Sequence, residues 1–493
     1  MFALAATLMF RLWLAAVAPV TADEAYFILW GRSPALGYYD HPPMVGWILA
    51  PLAALSDAPW LLRLPAVLAP PLAALMVRSA LRRWHAGGKA RDADTADLAA
   101  LAVLLVPMNV WNVLITTDTP LLLFSVASLL VFARAAELDS AKLYLLSGVL
   151  LGLAFLSKYF AVLLALAFLV WAIVSKNPRA IVLVFLGGLP FGLLNLYWNY
   201  ETCWCNVLFN AINRHEDEGS GLSLATPALY AVSLAYLAAP LLWFAWLGRG
   251  AMRASWGRPA ERALMLTWLV PLALFAALSP MKRIGLHWLL WFLPALVLSV
   301  ALALERRQLV ASVRVFALLA ALHVAAIGIV AAVPLETWRA TRFHARLVFP
   351  GRIAELTAAV APDLAGRLLA TDSYASAALL EYHGRRPVTV FGRGTSHARQ
   401  ADIDTDWRAY DGKDLVILRR EAPRAQEYQP YFRVVAVKRI ALGSGVYHAV
   451  LGSGFDYRAY RAGVLADVRD HFYRIPAALP LGGCFFFERY FPR

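Results

Sequence analysis

The chain has 493 residues, of which 60% are hydrophobic and only 16% are charged. A soluble globular protein carries about a quarter charged residues, so this composition excludes an ordinary soluble domain. The formal net charge of +14 does not indicate a nucleic-acid partner, because Lys and Arg gather in three loops, at residues 78–91, 249–262 and 306–314. Cytoplasmic loops of membrane proteins show this distribution.

Apolar runs long enough to cross a bilayer recur along the first two-thirds of the chain. The first run, Phe2–Val20, lacks a basic start and a clear cleavage site, which favours a retained helix over a removed signal peptide. About eleven transmembrane helices are predicted. They fall near residues 2–20, 61–81, 96–114, 119–136, 142–157, 159–175, 181–198, 226–247, 263–279, 287–304 and 313–333.

The basic loops orient these helices. Loops assigned to the cytoplasm hold about sixteen Lys and Arg and the outer loops about five, so the N-terminus is predicted inside. An odd number of crossings then places everything after Val333 outside. The predicted class is an α-helical polytopic membrane protein with its membrane module at residues 1–333.

Two shorter apolar stretches follow the first helix. Met44–Leu55 is too short to cross a membrane and contains Trp47 and Pro51, so it is predicted to lie as a helix in the outer interface. Ala25–Arg32 is predicted to form a similar short helix. The first outer loop would then be structured and lie flat against the membrane.

Residues 334–493 differ in character. The stretch RLLATDSYASAALLEYHGRRPVTVFGRG is typical of strand, helix and strand, and DLVILRR, FRVVAVKRI and VYHAVLG are further strand candidates. They predict a small α/β domain outside the membrane. The three cysteines, Cys203, Cys205 and Cys484, show no zinc spacing, and the first two are too close for an easy mutual bridge, so no redox role is assigned.

Ionisable side chains near the membrane are costly and mark functional sites by default. The predicted outer ends of the helices collect an unusual number of them. They are Asp23, Glu24, Asp40, His41, Asp118, Lys158, Lys282, Arg283 and His287.

Several of these have a plainer interpretation. Asp118 precedes an apolar run, where an Asp is usually a helix cap. Lys282 and Arg283 could belong to a solvated loop, and Tyr38 and Tyr39 to the aromatic belt of the interface.

The set as a whole favours a site. Two prolines after His41 restrict the backbone and would hold its side chain rigidly at the membrane surface. Carboxylates deprotonate hydroxyls or bind metals, and Lys and Arg bind phosphate. Together they predict group transfer from a phosphate-bearing donor to an acceptor hydroxyl. Because no nucleotide-binding fingerprint is present, the donor is expected to be a lipid phosphate within the bilayer.

The same stretches carry a family resemblance. They read DEAYFILW, LGYYDHPPMVGW, TTDTPLLLF, GLAFLSKYFAVLL and KRIGLHW. They resemble the lipid-linked glycosyltransferases of the GT-C superfamily, in particular bacterial relatives of protein O-mannosyltransferases and of the lipid A aminoarabinose transferase. The Asp-Glu pair followed by His-Pro-Pro is the most specific part, and the resemblance spans about residues 1–333.

The resemblance implies an activity and a cellular location. The enzyme would move one sugar from a polyprenyl phosphate to a hydroxyl of lipid A, another envelope lipid, a glycan or a protein, inverting the anomeric configuration. It would work at the periplasmic face of the bacterial inner membrane, among membrane lipids and without nucleic acid.

The resemblance also implies roles for the matching residues. Asp23 would be the catalytic base, and Glu24 would support it or contact the acceptor. Asp40 would be the ligand of a divalent metal (Mg, Mn or Zn) that relatives differ in requiring. The donor phosphate would be bound by His41, Lys158, Lys282, Arg283 and His287, and the sugar or acceptor contacted by Tyr38, Tyr39 and Asp118.

Three alternatives stay open at this point. A polytopic transporter or lipid flippase also needs charges, but it predicts them near the middle of the membrane, and the chain shows no internal repeat. A non-catalytic sensor would use the C-terminal domain. A third alternative within the family transfers an oligosaccharide, or polymerises a glycan, instead of adding a single sugar.

Overall fold

The structure is a computed structural model that describes residues 2–84, 93–215, 221–339, 341, 344–443, 445–480 and 482–492, so part of the first basic loop lies outside the described residues. The chain forms two compact units. Unit 1 comprises Met1–Ala18, Ser56–Leu194 and Gly219–Val330, and unit 2 comprises Pro19–Leu55, Asn195–Glu218 and Ala331–Arg493. The segment after the first helix thus folds with the C-terminal residues. The domain boundary at residue 333 stays a prediction.

The described residues are mostly helical. The first part of the chain holds α1 (Phe2–Val17), α2 (Ala22–Arg32), α3 (Met44–Leu55), α4 (Pro59–Leu62), α5 (Leu64–Trp84), α6 (Ala93–Leu105), α7 (Pro107–Trp111), α8 (Asp118–Leu138), α9 (Ala141–Ser157), α10 (Ala161–Val174) and α11 (Pro178–Glu201). The rest holds α12 (Cys205–Ala211), α13 (Ala225–Leu247), α14 (Arg249–Ser255), α15 (Pro259–Leu278), α16 (Leu293–Ala303), α17 (Arg306–Ala332), α18 (His344–Val360), α19 (Tyr374–Gly384), α20 (Gln400–Asp404), α21 (Tyr457–Tyr460), α22 (Ala466–Phe472) and α23 (Phe485–Tyr490).

A helix lies at each of the eleven positions predicted to cross the membrane. Within the described residues, six helical segments are long and apolar enough to span it, and a seventh is added if α1 and α2 count as one broken span. They are Pro59–Arg83, α8, α11, α13, α15 and α17. This supports a polytopic membrane protein, and the number eleven stays a prediction. Helices α2 and α3 also form where two short helices were predicted, α3 with the predicted bounds.

Small residues bring three helices of unit 1 close together. Ser128 on α8 and Ser147 on α9 each donate their hydroxyl to the other's carbonyl oxygen, both at 2.9 Å. At the next residue of α9, a Cβ on Gly148 would collide with the backbone carbonyl of Val184 on α11. Small side chains and paired hydroxyls are how helices pack inside a bilayer. This packing fixes the end of α9 relative to the start of α8.

A buried arginine compensates for two prolines in α5. Pro70 and Pro71 have no N–H, so the carbonyls of Ala66 and Val67, four residues earlier, cannot be satisfied within the helix. Arg11 of α1 is fully buried and donates to these two oxygens, at 2.6 and 3.1 Å. The side chain that supplies the missing hydrogen bonds therefore comes from another helix.

Replacing Arg11 with Met is expected to lower the unfolding free energy by on the order of 3 kcal/mol, because at least two buried carbonyls lose their donor. The guanidinium also donates to the carbonyls of Asn109 and Asn112, which hold the end of α7. The midpoint of thermal unfolding in detergent measures the effect. Arg83→Met, at an exposed position of α5, serves as the control and should leave the midpoint nearly unchanged. Equal midpoints for both variants would contradict this interpretation.

Unit 2 contains a five-stranded sheet. Its strands are β1 (Leu368–Thr371), β2 (Val388–Val390), β3 (Leu415–Arg419), β4 (Phe432–Leu442) and β5 (Gly445–Phe455). The order is β2-β1-β3-β5-β4, with β1 parallel to β2 and β3, and β5 antiparallel to β3 and β4. The strands lie where β-branched runs predicted them, and α19 connects β1 to β2. Helix α19 packs against α2, which brings the start of the chain to the sheet domain.

A disulfide closes unit 2, and the sequence interpretation missed it. Cys203 and Cys484 are bonded across 281 residues. They belong to an aromatic core that also contains Tyr39 and Trp198. Cys205 is a buried free thiol. The mutual bridge between Cys203 and Cys205 was correctly dismissed, but spacing alone gave no way to choose a partner so far along the chain.

Candidate active site

The predicted site residues fall into two groups, one in each compact unit. Unit 2 holds the first carboxylates and the Tyr-Tyr-Asp-His stretch, namely Asp23, Glu24, Tyr38, Tyr39, Asp40 and His41. Unit 1 holds the later acid and the cations, namely Asp118, Lys158, Lys282, Arg283 and His287.

Asp23 and Glu24, in the first turn of α2, have different roles. Thr21 and Glu24 form a capping box: the Thr21 side chain accepts from the Glu24 N–H at 3.3 Å, and Glu24 Oε2 accepts from the Thr21 N–H at 3.0 Å. Glu24 is only 1% exposed. Asp23 is exposed on the same turn. The geometry therefore presents Asp23 outward and uses Glu24 to hold the helix start.

Tyr374, which the sequence analysis did not single out, contacts the predicted base. It is the first residue of α19, and its hydroxyl donates to Asp23 Oδ1 at 3.1 Å. Burial, followed by the Asp23 charge, raises the pKa of Tyr374 above its usual value. The phenol thus stays protonated and orients one carboxylate oxygen while leaving the other available.

Asp40 lies in a second polar cluster of unit 2. It is 5% exposed, and Tyr26 of α2 donates its hydroxyl to Asp40 Oδ1 at 3.4 Å. His41 Nδ1 lies 3.2 Å from Asp40 Oδ2. That nitrogen is buried and has no partner in hydrogen-bond geometry among the described residues. A protonated His41 would form an ion pair with Asp40 here.

Side-chain amides of α12 hold the backbone before the two prolines. Asn206 Nδ2 donates to the Tyr39 carbonyl at 2.8 Å, and Asn210 Nδ2 donates to the Asp40 carbonyl at 3.3 Å. The Tyr38 N–H closes a turn onto the His41 carbonyl at 3.1 Å. The prolines were expected to provide this rigidity, and the structure adds hydrogen bonds from a distant helix.

The two tyrosines of this stretch point inward. The Tyr38 ring stacks on Trp30 with centroids 4.1 Å apart, and its hydroxyl donates to the Trp30 carbonyl at 2.9 Å. Tyr39 is fully buried, and its hydroxyl accepts from Asn213 Nδ2 at 3.1 Å. Tyr39 thus has no exposed surface for direct contact with a substrate in this structure, and its predicted contact stays a prediction.

In unit 1, Asp118 and Lys158 form a tight ion pair. Asp118 is the first residue of α8, and Lys158 follows the last residue of α9; Lys158 Nζ lies 2.8 Å from each carboxylate oxygen. His287 Nε2 lies 3.9 Å from Asp118 Oδ2. The side chains of Asp118 and Lys158 are 10% and 13% exposed. Asp118 therefore pairs with the Lys158 ammonium, so its role is more than that of a helix cap.

Lys282 and Arg283 follow α15 in the loop that leads to His287. The Lys282 N–H donates to the Leu278 carbonyl at 2.9 Å and extends the end of α15. Lys282 is half-buried and Arg283 is exposed. The loop therefore presents a second group of positive charge close in sequence to His287.

Asp40 is the predicted ligand of a divalent metal. Within the part of the chain that the structure describes, no group of three or more His, Cys, Asp and Glu could hold a metal ion. Asp40 and His41 supply at most two ligands, and one Asp40 oxygen already accepts from Tyr26. These residues do not form a metal site from protein groups alone, so no chemical step is derived through a metal. The metal stays a prediction.

Sequence reasoning missed the supporting residues of this site, among them Tyr26, Asn206, Tyr374 and His397. The His397 ring lies nearly parallel to Tyr374 at 5.7 Å, and burial lowers the pKa of His397 so that its neutral form is favoured. These side chains lie in segments without recognisable spacing. Their partners lie far away along the chain, so no local pattern could have identified them.

Comparison with known proteins shows relatives over much of the chain. Residues 40–198 match the family described as dolichyl-phosphate-mannose-protein mannosyltransferase. Lipid A galacturonosyltransferase RgtD of Rhizobium johnstonii (strain DSM 114642 / LMG 32736 / 3841) is 28% identical over 264 residues, which cover 52% of this chain and 54% of that protein. The chain thus matches about half the length of this curated relative.

Two solved structures share the fold. ArnT from Cupriavidus metallidurans bound to undecaprenyl phosphate superposes with a TM-score of 0.64 at 16% identity, covering 91% of this chain and 97% of that one. The apo form of ArnT has a TM-score of 0.63 over the same coverage. Since residues 1–333 are only about two-thirds of the chain, a shared fold over 91% of it extends into the C-terminal residues.

Proposed function

From its similarity to lipid-linked glycosyltransferases and the fold it shares with ArnT, we propose that the chain is a GT-C glycosyltransferase, which transfers one sugar from a polyprenyl-phosphate donor to an acceptor hydroxyl with inversion. The acceptor lies at the periplasmic face of the bacterial inner membrane. The undecaprenyl phosphate in the ArnT structure supports the donor class.

The Asp23 carboxylate carries this proposal. It is exposed at the start of α2, and the hydroxyl of Tyr374 binds one of its oxygens at 3.1 Å. The second oxygen is then available to accept the proton of the incoming hydroxyl. A fixed and accessible carboxylate is what a general base needs. Glu24 supports the base indirectly, because its capping box holds the helix turn that carries Asp23.

The resemblance assigns the cations of unit 1 to the departing side of the reaction. As the bond between the sugar and the phosphate breaks, negative charge grows on the lipid phosphate, and preorganised cations stabilise it. Lys158, Lys282 and Arg283 are the candidates, with His287 beside the ion pair. A phosphate is already a good leaving group, so neither a covalent nucleophile nor a dedicated general acid is needed. Inverting glycosidases divide acceptor activation and leaving-group assistance in a comparable way.

The disulfide supports a periplasmic position for unit 2. Disulfides form and persist in oxidising compartments, of which the bacterial periplasm is one. The bond between Cys203 and Cys484 therefore agrees with the orientation derived from the basic loops. The two arguments are independent, because one concerns redox chemistry and the other concerns charge.

A count of free thiols tests this orientation. Of the three cysteines, only Cys205 should react with a maleimide-linked polyethylene glycol when the protein is denatured without reductant, and all three should react after reduction. A gel shift of one unit against three measures this. Cys484→Ser, the control, should gain a second reactive thiol without reductant. Three reactive thiols in unreduced wild-type protein would contradict a periplasmic unit 2.

The identity of the acceptor is the next quantity to test. Since the curated relative acts on lipid A, lipid A is the first acceptor to test, followed by other envelope lipids, glycans and proteins.

Mass spectrometry of these molecules from a deletion strain and a complemented strain tests the function. One molecule should lack the mass of a single sugar in the deletion strain and regain it on complementation. An unchanged envelope under conditions of expression would contradict transferase activity. A missing oligosaccharide would favour the alternative within the family.

A further inference from the structure

Unit 2 contains a cavity of about 410 Å³ that is lined by Tyr38, a predicted sugar or acceptor contact, but not by the predicted base or the predicted phosphate-binding residues. It is bounded by α2 and the loop after it, by α19, and by the chain from Pro387 to Tyr410. Its volume lies within the range of roughly 300–1,000 Å³ typical of small-molecule sites. A space of this size is suited to a single sugar ring.

Aromatic side chains form much of the cavity wall. They are Tyr26, Trp30, Tyr38, Trp198, Tyr374 and Tyr410. Trp30 and Tyr38 stack face to face with an interplanar angle of 2°, so each ring covers one face of the other and their remaining faces and edges are held rigidly. The C–H face of a sugar ring packs on such surfaces, while tyrosine hydroxyls remain able to bond its polar groups.

Two carboxyl groups face the same space. Glu381 Oε2 accepts from the Val388 N–H at 2.9 Å, and the Asp404 carboxylate accepts from Gln400 Nε2 at 3.1 Å. Each carboxylate has accepting capacity beyond these bonds. Among the described residues that line the cavity, none is Lys, Arg or His. The lining is therefore acidic, and hydrogen bonds rather than cations partner its carboxyls.

The nearest cations are engaged outside the cavity. The Arg32 guanidinium lies over the Tyr382 ring, 5.4 Å from its centroid. Arg489 donates to the carbonyls of Asp402 and Ile403, at 3.1 and 2.9 Å. Neither arginine lines the cavity, although the charge of Arg32 acts on Glu381 and that of Arg489 on Asp404, so a ligand there contacts two acids and, among the described residues, no basic side chain.

The cavity adjoins the predicted catalytic carboxylates through two shared side chains. Tyr26 and Tyr374 line the cavity with their rings, and their hydroxyls donate to Asp40 and Asp23 respectively. The two rings meet edge to face at 5.4 Å. A ligand in the cavity therefore lies one tyrosine side chain away from each carboxylate.

We propose that this cavity binds a sugar ring of the substrate, accepts neutral or amino-substituted sugars, and excludes sugar acids. Hydroxyl and ammonium groups donate hydrogen bonds to Glu381 and Asp404, whereas a uronate would place a third negative charge beside them. The inference rests on the proposed function and adds the class of sugar. The inferred sugar class differs from the sugar acid named for the galacturonosyltransferase relative.

The acidity of Asp404 gives a first prediction. Burial raises the pKa of Asp404 to about 6. The Gln400 hydrogen bond and the Arg489 charge lower the pKa, whereas the charges of Glu381 and Asp402 raise it further. Burial also raises the pKa of Glu381. Between the ordinary value of about 4 and 6, folded Asp404 holds a proton that the unfolded chain has lost, so the unfolding free energy falls as pH rises.

Replacing Asp404 with Asn should therefore raise the thermal midpoint above that of wild type at pH 7.5, and the difference should vanish near pH 4. Thermal unfolding in detergent across this range measures it. Asp406→Asn, the control, should show the opposite sign, because the Arg408 hydrogen bond lowers the pKa of Asp406. A constant difference across the pH range would contradict the titration of Asp404.

Binding of three galactose derivatives tests the ligand class directly. The probes are methyl galactoside, galactosamine and methyl galacturonoside, which are neutral, cationic and anionic. Saturation-transfer NMR is recorded on the full chain in lipid nanodiscs. The neutral and cationic probes should bind wild type at least about tenfold more tightly than the anionic one, because the two carboxylates repel a third negative charge.

A charge-removing variant and a matched control complete the experiment. In Glu381→Gln/Asp404→Asn the preference for the cationic probe should disappear and the anionic probe should gain affinity. Asp406→Asn, with its carboxylate paired to Arg408 on the surface, should behave as wild type. Anionic binding equal to neutral binding in wild type, or an unchanged preference in the double variant, overturns the inference.

Steady-state kinetics identify whether the sugar ring in the cavity belongs to the donor or to the acceptor. With the donor and acceptor found by mass spectrometry, Asp404→Asn should raise KM for the lipid-linked donor if the donor sugar occupies the cavity, or KM for the acceptor if an acceptor sugar does. A change in neither KM overturns the inference while leaving the transferase function intact. If the protein binds the neutral and cationic probes in preference to the anionic one but transfers no sugar, the proposed function alone is refuted.

Discussion

The Asp23→Asn variant is expected to lose sugar transfer by a factor of about 10²–10⁴, the contribution of a positioned general base. The amide can still accept the Tyr374 hydrogen bond, so the local structure should persist while the proton acceptor is lost. The readout is the mass of the modified envelope molecule in a deletion strain that expresses the variant.

Two further variants make this result specific. Asp470→Asn removes another carboxylate of unit 2, one paired with the neighbouring Arg469 at 2.8 Å, and should leave transfer unchanged. Tyr374→Phe keeps the ring but loses the hydroxyl that orients Asp23, and should lower turnover by about tenfold, the effect of one lost hydrogen bond of about 1.4 kcal/mol. Normal transfer by membrane-inserted Asp23→Asn would exclude the assigned base and restore the transporter and sensor alternatives.

The Lys158→Met variant is expected to lose both stability and activity. Its partner Asp118 would keep a largely buried charge without the ammonium that now contacts both oxygens at 2.8 Å. Breaking a buried pair on one side costs on the order of 3–5 kcal/mol. The midpoint of thermal unfolding in detergent should fall by several degrees, and transfer should be absent because the donor phosphate loses a cation.

The double variant Asp118→Asn/Lys158→Met separates structure from chemistry. Removing both charges should restore most of the thermal midpoint, since no uncompensated charge remains. Transfer should stay absent if Lys158 binds the donor phosphate. Recovery of transfer together with stability would show that the pair is only structural. Arg306→Gln, which breaks the exposed pair with Asp94, serves as the control and should change neither property.

The elements of the fold were largely predictable from local patterns. Apolar runs located the helices, and β-branched runs bounded by turn residues located the strands. Met44–Leu55 forms a helix with the predicted bounds because its side chains are almost all apolar, and Pro51 lies within the helix without ending it. What composition could not predict is that this helix folds with the C-terminal residues in one compact unit.

The candidate site was predictable only in part. Charged residues beside apolar segments are rare enough to be noticed individually, which is why Asp23, Asp40 and Lys158 were found. Their partners were not predictable, because tyrosines, asparagines and threonines are ordinary residues at ordinary positions. The capping box was overlooked although Thr21 and Glu24 show its spacing, and it changes Glu24 from a candidate acceptor contact into a buried support.

By itself the sequence determined that this chain is a membrane protein, where its helices form, and which charged residues are candidates for chemistry. These properties depend on the polarity of neighbouring residues, which can be read within one or two helical turns. Only the tertiary structure joined Tyr374 to Asp23 across 351 residues and Cys203 to Cys484 across 281, and only it enclosed an acidic, aromatic cavity between α2 and α19. Such contacts are selected by the packing of the whole unit, because no local pattern records which distant surface will cover a given side chain.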